Sequence, residues 1–155
     1  MKNQILRKLP LLCLAVLLSF CMILSGCAGR TVITAEDFKA ACDAAGYTTM
    51  DTSLNYDPAY VTTAIIGMGE DYSVGFYTFV SASDAKTNYA QFLGDARTGT
   101  AEPGDEKFVD SPEYNRYYVS TEHGTILLYR NGTTMLYISG ADNATLNSII
   151  ENLDI

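Results

Sequence analysis

The sequence predicts an α+β domain over residues 34–155, with an antiparallel sheet built from two ββα-like units and its helices packed on one face. Runs rich in β-branched and aromatic residues are separated by short turns, which is typical of antiparallel hairpins. Three further segments begin at a capping residue and repeat apolar side chains at helical spacing. The order strand, strand, capped helix occurs twice, at 65–93 and at 126–153.

A capped helix precedes the first unit. Thr34 is a good N-cap, and Asp37 three residues later completes a capping box. Gly46 ends this helix, as a glycine after a helix commonly does, and a short strand is expected to follow it at 47–51. The first unit then has strands at 61–68 and 72–80 and a helix at 83–96, which the residues at 81–84 cap.

A charged segment separates the two units. Glycine and proline residues punctuate 98–113 and five acidic residues charge it, so this segment is predicted to be a loop. His123-Gly124 and Asn131-Gly132 are predicted to be two-residue turns, since Asn-Gly is a strong hairpin signal. Asp142 is the predicted cap of the last helix. The strands of this part are expected at 114–122, 125–130 and 133–139.

Four side chains on these strands form a candidate partner surface. With two-residue turns, Tyr118 lies opposite Tyr129, and Leu127 lies opposite Leu136. This face is either covered by the rest of the chain or contacts a protein or glycan partner. Tyrosine suits a partner surface because it offers apolar area together with a hydroxyl group.

The other face of the same strands is apolar as well. It carries Leu128, which is expected to be buried against Ile149 of the last helix. An antiparallel sheet commonly presents one polar face to water. Two apolar faces therefore require a cover on each side, or a partner on one of them.

The first thirty residues have the layout of a secretory signal. Three positive charges precede an apolar run over 9–24, and small residues follow it. The stretch Leu24-Ser25-Gly26-Cys27 resembles the lipobox of bacterial lipoproteins of the Gram-positive type. This resemblance implies that Cys27 receives a diacylglyceryl thioether, that the chain is cut before it, and that Cys27 becomes the mature N-terminus.

The resemblance implies a signal peptide at 1–26, a lipidated cysteine with a short tether at 27–33, and one extracytoplasmic domain at 34–155. The alternative is an uncleaved anchor, because residues 9–26 carry no charge and are about long enough to span a bilayer. Both arrangements place the domain on the outer face of the cell membrane.

Residues 27–155 are strongly acidic. They hold all eighteen acidic residues and seven of the ten basic ones, an excess of eleven negative charges. Such a surface repels nucleic acid and anionic lipid headgroups. No nucleic-acid partner is therefore expected, and the membrane is expected to be reached through the N-terminal lipid.

No catalytic residue, metal ligand or cofactor is predicted. The residues at 83–86 match the S-x-x-K pattern of penicillin-binding enzymes, but the companion S-D-N and K-T-G motifs are absent. His123 is the only histidine, whereas a zinc site needs several His or Cys ligands. Cys42 lies among apolar residues and is expected to be buried. The carboxylates at 102–113 leave loose calcium binding as an open alternative.

The sequence thus predicts a membrane-anchored surface lipoprotein that acts as a non-enzymatic binding or interaction module. One alternative is a small cell-envelope enzyme or an enzyme accessory domain, and another is a structural envelope protein. Polar side chains gathered around one concave pocket would favour the enzyme. A flat, tyrosine-lined sheet face would favour the interaction module.

Overall fold

A seven-stranded antiparallel sheet forms the centre of the structure, which is a computed structural model and describes residues 32–69, 71–99 and 106–155. The strands lie in the order β1-β2-β3-β7-β6-β5-β4. In chain order the elements are α1 (Ala35–Ala44), β1 (Met50–Asp51), a 3₁₀ turn (Ser53–Asn55), β2 (Val61–Met68), β3 (Tyr72–Phe79), α2 (Ala82–Gly99), β4 (Lys107–Asp110), β5 (Tyr114–Thr121), β6 (Gly124–Asn131), β7 (Thr134–Gly140) and α3 (Asn143–Asn152).

The predicted α+β class and the antiparallel sheet are confirmed. The two ββα units are present as β2-β3-α2 and β6-β7-α3, and they meet where β3 pairs with β7. One strand was not predicted: β4 lies inside the segment expected to be a loop and pairs with β5 at the edge of the sheet. The glycine, proline and charged residues around it are typical of a loop, so the sequence pattern did not indicate a strand. The strand forms nevertheless, because at the edge of the sheet it pairs with only one neighbour.

The helices cover both faces of the sheet, so the prediction of helices on one face is wrong. Helices α1 and α3 pack on the face that carries Leu127 and Leu136, which we call the closed face. Helix α2 packs on the face that carries Leu128 and Met135, which we call the open face. Because alternate residues of β6 and β7 are apolar on both sides, both sides must be removed from water.

The hairpin turns differ from the predicted ones by one residue each. The loops are Glu122-His123 and Gly132-Thr133, so Thr121 pairs with Gly124, and Asn131 pairs with Thr134. In the second loop only Gly132 has a positive φ, +57°. That pattern fits a type II′ turn, which needs glycine at its first position, rather than the type I′ turn predicted for Asn-Gly.

The shifted turns change the cross-strand partners but not the faces. Tyr118 lies opposite Leu127, and Tyr129 lies opposite Leu136, so the predicted Tyr118–Tyr129 and Leu127–Leu136 pairs are wrong. Each pairing moves by two residues along one strand. Side chains alternate with a period of two, so every residue stays on its predicted face.

The expected contact between Leu128 and Ile149 is also wrong. Both side chains are completely buried. They lie on opposite sides of the sheet, Leu128 under α2 and Ile149 in the core formed with α1 and α3. The prediction failed because it assigned the last helix to the wrong face of β6.

Candidate functional site

The predicted partner surface is mostly core. Leu127 and Leu136 have no exposed surface and Tyr129 has 1%, because α1 and α3 cover this face. Tyr118 is half-buried, and its hydroxyl donates to the Asn147 side chain at 3.2 Å. Three of the four residues therefore cannot meet a partner in the folded domain, and this surface is corrected to a core.

An aromatic pocket of about 290 Å³ opens on the other side of the sheet. Its floor is made by the sheet at the point where β2, β3 and β7 run side by side. Tyr77 and Phe79 are two residues apart on β3 and so point to one face. Val61 pairs with Phe79, and Met135 pairs with Tyr77, which completes the floor.

One wall of the pocket comes from α2. Asn88 and Phe92 are four residues apart, which places both side chains on one side of the helix. The Asn88 amide donates to the Asp84 carbonyl oxygen at 3.0 Å, which ties it to the preceding turn. The Phe92 ring lies 6.5 Å from the Tyr77 ring and 5.4 Å from the Tyr137 ring, between centroids.

The rim of the pocket comes from the segment between the 3₁₀ turn and β2. Tyr56 and Tyr60 are 37% and 58% exposed. Between them Asp57 forms a tight turn: its carboxylate accepts from the Ala59 N–H at 2.9 Å, and its carbonyl accepts from the Val61 N–H at 3.0 Å. This turn brings both tyrosines to the mouth of the pocket.

Tyr77 is the central ring of the pocket. Its centroid lies 6.0 Å from that of Tyr56 and 6.4 Å from that of Phe79. Gly75 allows this position, since a Cβ atom there would stand 2.8 Å from the Tyr77 ring. Burial raises the pKa of the Tyr77 hydroxyl, and the charge and hydrogen bond of the Tyr56 hydroxyl raise it further. The phenol is therefore neutral at physiological pH.

The lining of the pocket is mostly aromatic and uncharged. Five of its eight lining residues are aromatic, and none carries a formal charge. Its polar groups are the Asn88 amide and the tyrosine hydroxyls. A carboxylamide is neither a general base nor a nucleophile in enzymes.

The residues of the S-x-x-K pattern lie on the outside of α2. Ser83 and Lys86 are exposed. The N-terminus of the helix is capped by Ser81 instead, whose hydroxyl accepts from the Asp84 N–H at 3.1 Å and donates to the Asp84 carboxylate at 2.6 Å. Sequence reasoning had placed this cap within 81–84.

The other residues considered as possible nucleophiles or metal ligands are His123, Cys42 and the acidic residues. The His123 side chain is 73% exposed in its turn, 3.4 Å from Glu122. Cys42 is fully buried, as predicted, and burial raises the pKa of its thiol to about 12. Within 32–69, 71–99 and 106–155, no cluster of three or more His, Cys, Asp or Glu could hold a metal ion. Residues 100–105, which belong to the acidic segment, lie outside the described residues.

Among the described residues, Arg130 is the largest fully buried side chain, and no sequence pattern predicted its burial. Its guanidinium donates to the Asn115 side chain at 2.5 Å and to the carbonyl oxygens of Pro112 and Gly132 at 2.8 and 3.2 Å. Burial lowers the pKa of this guanidinium. These bonds join the β4–β5 turn to the β6–β7 turn, which gives Arg130 a structural role.

The lipobox and Cys27 lie in residues 1–31, outside the described part of the chain. Among the residues that the structure does describe, we find no helix that is both long and apolar enough to span a membrane.

Comparison with known proteins assigns no family. No family model and no curated protein matches the chain. Among solved structures it is similar to a GTP binding regulator from Thermotoga maritima, with a TM-score of 0.42 and 8% identity over 78% of this chain and 87% of that chain. A likeness at this level carries no argument about function.

Sequence reasoning missed the pocket, although two local signals were present. Tyr77 and Phe79 share a strand face, and Asn88 and Phe92 share a helix face. The rim could not be predicted, because nothing in the sequence of the segment around Asp57 indicates which part of the sheet this segment packs against. The pocket exists only because three distant segments converge.

Proposed function

We propose that this protein is a lipid-anchored binding module on the outer face of the cell membrane, and that the aromatic pocket is its binding site. The anchor is supported by the lipobox at 24–27 and by the basic and apolar signal before it. Two acyl chains on Cys27 would hold the domain firmly at the bilayer. The acidic surface agrees with a position beside an anionic membrane that it does not enter.

The observation that carries the binding role is an apolar pocket that the described residues leave unfilled. A folded domain normally packs its large rings against one another. Here Tyr56 and Tyr60 keep substantial exposed area around a concave site of about 290 Å³. Concave, mostly apolar sites with a few polar groups are the usual form of small-ligand sites.

A non-enzymatic role is favoured over a catalytic one. The lining supplies ring faces and a single amide, whereas hydrolysis needs a nucleophile with a base or a bound metal. A partner protein would use the same pocket by inserting one side chain. The surface predicted for such a partner at Tyr118 and Tyr129 does not serve this purpose.

The anchor is tested on the N-terminal peptide. Mass spectrometry of the membrane fraction is expected to find a peptide that begins at Cys27 and carries a diacylglyceryl group. The Cys27→Ser variant is expected to accumulate as an unprocessed precursor, because the thioether forms on this sulfur. An intact residue 1 in the wild-type chain, or a cut elsewhere without lipid, would refute the lipoprotein assignment.

The binding role is tested by footprinting in the envelope. Hydroxyl-radical labelling of intact producing cells, compared with purified full-length protein, should reveal protection of Tyr56 and Tyr60 by the natural ligand. Phe108 is 43% exposed on β4 and serves as the internal control. Equal labelling of the two tyrosines in both samples would contradict occupation of the pocket.

A further inference from the structure

Five aromatic rings line one concave site of about 290 Å³: those of Tyr56, Tyr60, Tyr77, Phe79 and Phe92. Tyr56, Phe79 and Phe92 all lie 6.0 to 6.5 Å from Tyr77, between ring centroids. An aromatic ring attracts a cation that lies over its face within about 6 Å of the ring centroid. A cationic group inside so small a site lies within reach of more than one of these rings.

Three cations of the described residues lie over rings outside the pocket. Arg97 lies over Phe108 and Tyr117 at 4.9 and 5.5 Å. Lys107 and Arg116 both lie over Tyr118. In the described part of the chain, these contacts belong to the β4–β5 side of the sheet, and none involves a ring of the pocket.

Charge around the pocket also favours a cation. The segment that forms its rim, 56–61, carries one formal charge, the Asp57 carboxylate. Lys86 is two positions before Asn88 on α2, which places it about 200° around the helix axis from the pocket wall. Residues 27–155 as a whole carry an excess of eleven negative charges. An anionic ligand would be repelled, and a cationic one would be steered towards the domain.

The lining selects among cations. A primary ammonium group or a guanidinium needs hydrogen-bond acceptors to replace its water, and burial without them costs several kcal/mol. The pocket has no carboxylate in its lining. An alkylated ammonium group is weakly hydrated and presents methyl groups to the rings, so it loses little on entry. A sugar would need more polar partners than one amide and the tyrosine hydroxyls.

We propose that the pocket binds a small, phosphate-free alkylated ammonium compound, held by contact with the rings of Tyr56, Tyr60, Tyr77 and Phe92 that line it. This inference rests on the proposed binding function and names the ligand class of the same site. A volume of about 290 Å³ is at the small end for ligand pockets, which suits a compound of the size of choline. The negative surface disfavours the same group when it is joined to a phosphate.

The test compares a cation with its neutral isostere. The full chain in non-ionic detergent is titrated by calorimetry with choline chloride and with 3,3-dimethylbutan-1-ol, which has a carbon in place of the nitrogen. Sodium chloride keeps the ionic strength constant. Choline is expected to bind about tenfold more tightly than the alcohol, as cation–ring contacts predict. Phosphocholine is expected to bind more weakly than choline.

Variants locate the binding. Tyr60→Ala is expected to weaken choline binding about fivefold or more, because it removes one ring face. Tyr60→Phe keeps the ring and should retain the affinity. Phe108→Ala removes an exposed ring outside the pocket and is the matched control. Circular dichroism of each variant establishes that it is folded.

The outcomes separate the two proposals. Equal affinity for choline and the neutral alcohol, both lost in Tyr60→Ala, would overturn the cation inference and leave the pocket as a binding site. No binding of either compound, together with equal footprints in cells and in solution, would overturn both. Tighter binding of phosphocholine than of choline would overturn the phosphate-free ligand class.

Discussion

The two faces of the sheet are both apolar, but they are covered differently. On the closed face, α1 and α3 pack together over strands β3, β6 and β7, and most of the large apolar side chains there are almost completely buried. On the open face, α2 is the one described helix that covers the sheet. Beside it Tyr77 and Phe92 are only half-buried and the pocket remains. The number of covering helices, rather than the apolar pattern of the strands, therefore goes with where the pocket forms.

This difference corrects a natural inference from the sequence. The tyrosines of β5 and β6 were expected to meet a partner because their face is apolar. Their face is instead the better covered one, and the exposed tyrosines come from a short connecting segment. An apolar strand pattern therefore indicates that a face will be covered, without indicating by which part of the chain.

Among the substitutions considered, the largest loss of folding stability is expected on the closed face. Leu136→Ala is expected to lower the free energy of unfolding by about 2–5 kcal/mol, because the side chain is fully buried and leaves a cavity. Urea denaturation followed by circular dichroism measures it. A loss below about 0.5 kcal/mol would mean that this face is not the packed core. Leu128→Ala, on the sheet under α2, should cost a similar amount.

A smaller effect is expected at the wall of the open face. Phe92 is half-buried, so Phe92→Ala should cost about 1–2 kcal/mol, less than a fully buried phenylalanine would. The same denaturation experiment applies. A cost as large as that of Leu136→Ala would indicate that the pocket is closed in solution, and would remove the contrast between the two faces.

Acid is expected to weaken the closed face first, because an aspartate takes part in the N-terminal cap of both of its helices, Asp142 as the N-cap of α3 and Asp37 in the capping box of α1. Hydrogen bonds from Thr145 lower the pKa of Asp142, and hydrogen bonds from Thr34 lower that of Asp37, each from about 3.8. The lowered folded-state pKa values stabilise the fold above pH 3.8, and this contribution disappears as the pH falls through them. Between pH 6 and pH 3, the wild-type chain should therefore lose more stability than a variant with both Asp37→Asn and Asp142→Asn.

Asparagine is a good N-cap at position 142 and keeps a side-chain acceptor oxygen for Thr34 at position 37, and it does not titrate in this range. The double variant is therefore a matched control. The urea midpoints of the two proteins at pH 6 and pH 3 provide the comparison. An equal loss in both proteins would show that the aspartate caps do not cause the acid sensitivity.

The smallest effect is expected at the rim. Tyr60 is 58% exposed, and Tyr60→Ala should change the free energy of unfolding by no more than about 0.5 kcal/mol. This result is what the binding account requires, because a ring that contributes little to folding is available to a ligand. A loss above about 2 kcal/mol would assign Tyr60 to the core.

Local signals in the sequence predicted the elements, and distant contacts decided the rest. The capping box of Thr34 and Asp37 and the cap at Asp142 form as predicted, because each depends on residues three positions apart. Strand β2 has the predicted bounds of 61–68. The face that each helix covers could not be predicted, since a short connection can lead to either side of the sheet.

The exact turns and the buried arginine show the same limit. Asn131-Gly132 does mark a hairpin, but which two residues form its loop depends on backbone angles that the sequence leaves open. Arginine on a strand is usually exposed, and the burial of Arg130 is made favourable by the Asn115 side chain and by the carbonyl oxygens of Pro112 and Gly132. The two partners from β5 and the β4–β5 turn are distant in sequence. The candidate pocket could not be predicted from the sequence either, because its rim, floor and wall are far apart along the chain.

The central claim is that the binding site lies on the open face. Chemical-shift mapping by NMR tests it most directly, with the isotope-labelled full chain in non-ionic detergent and choline and 3,3-dimethylbutan-1-ol as probes. The largest chemical-shift changes are expected at Tyr56, Tyr60, Asn88 and Phe92. The methyl resonances of Leu136 on the closed face are expected to keep their chemical shifts. Shifts centred on Tyr118 and the closed face, or none at the pocket with either probe, would contradict it.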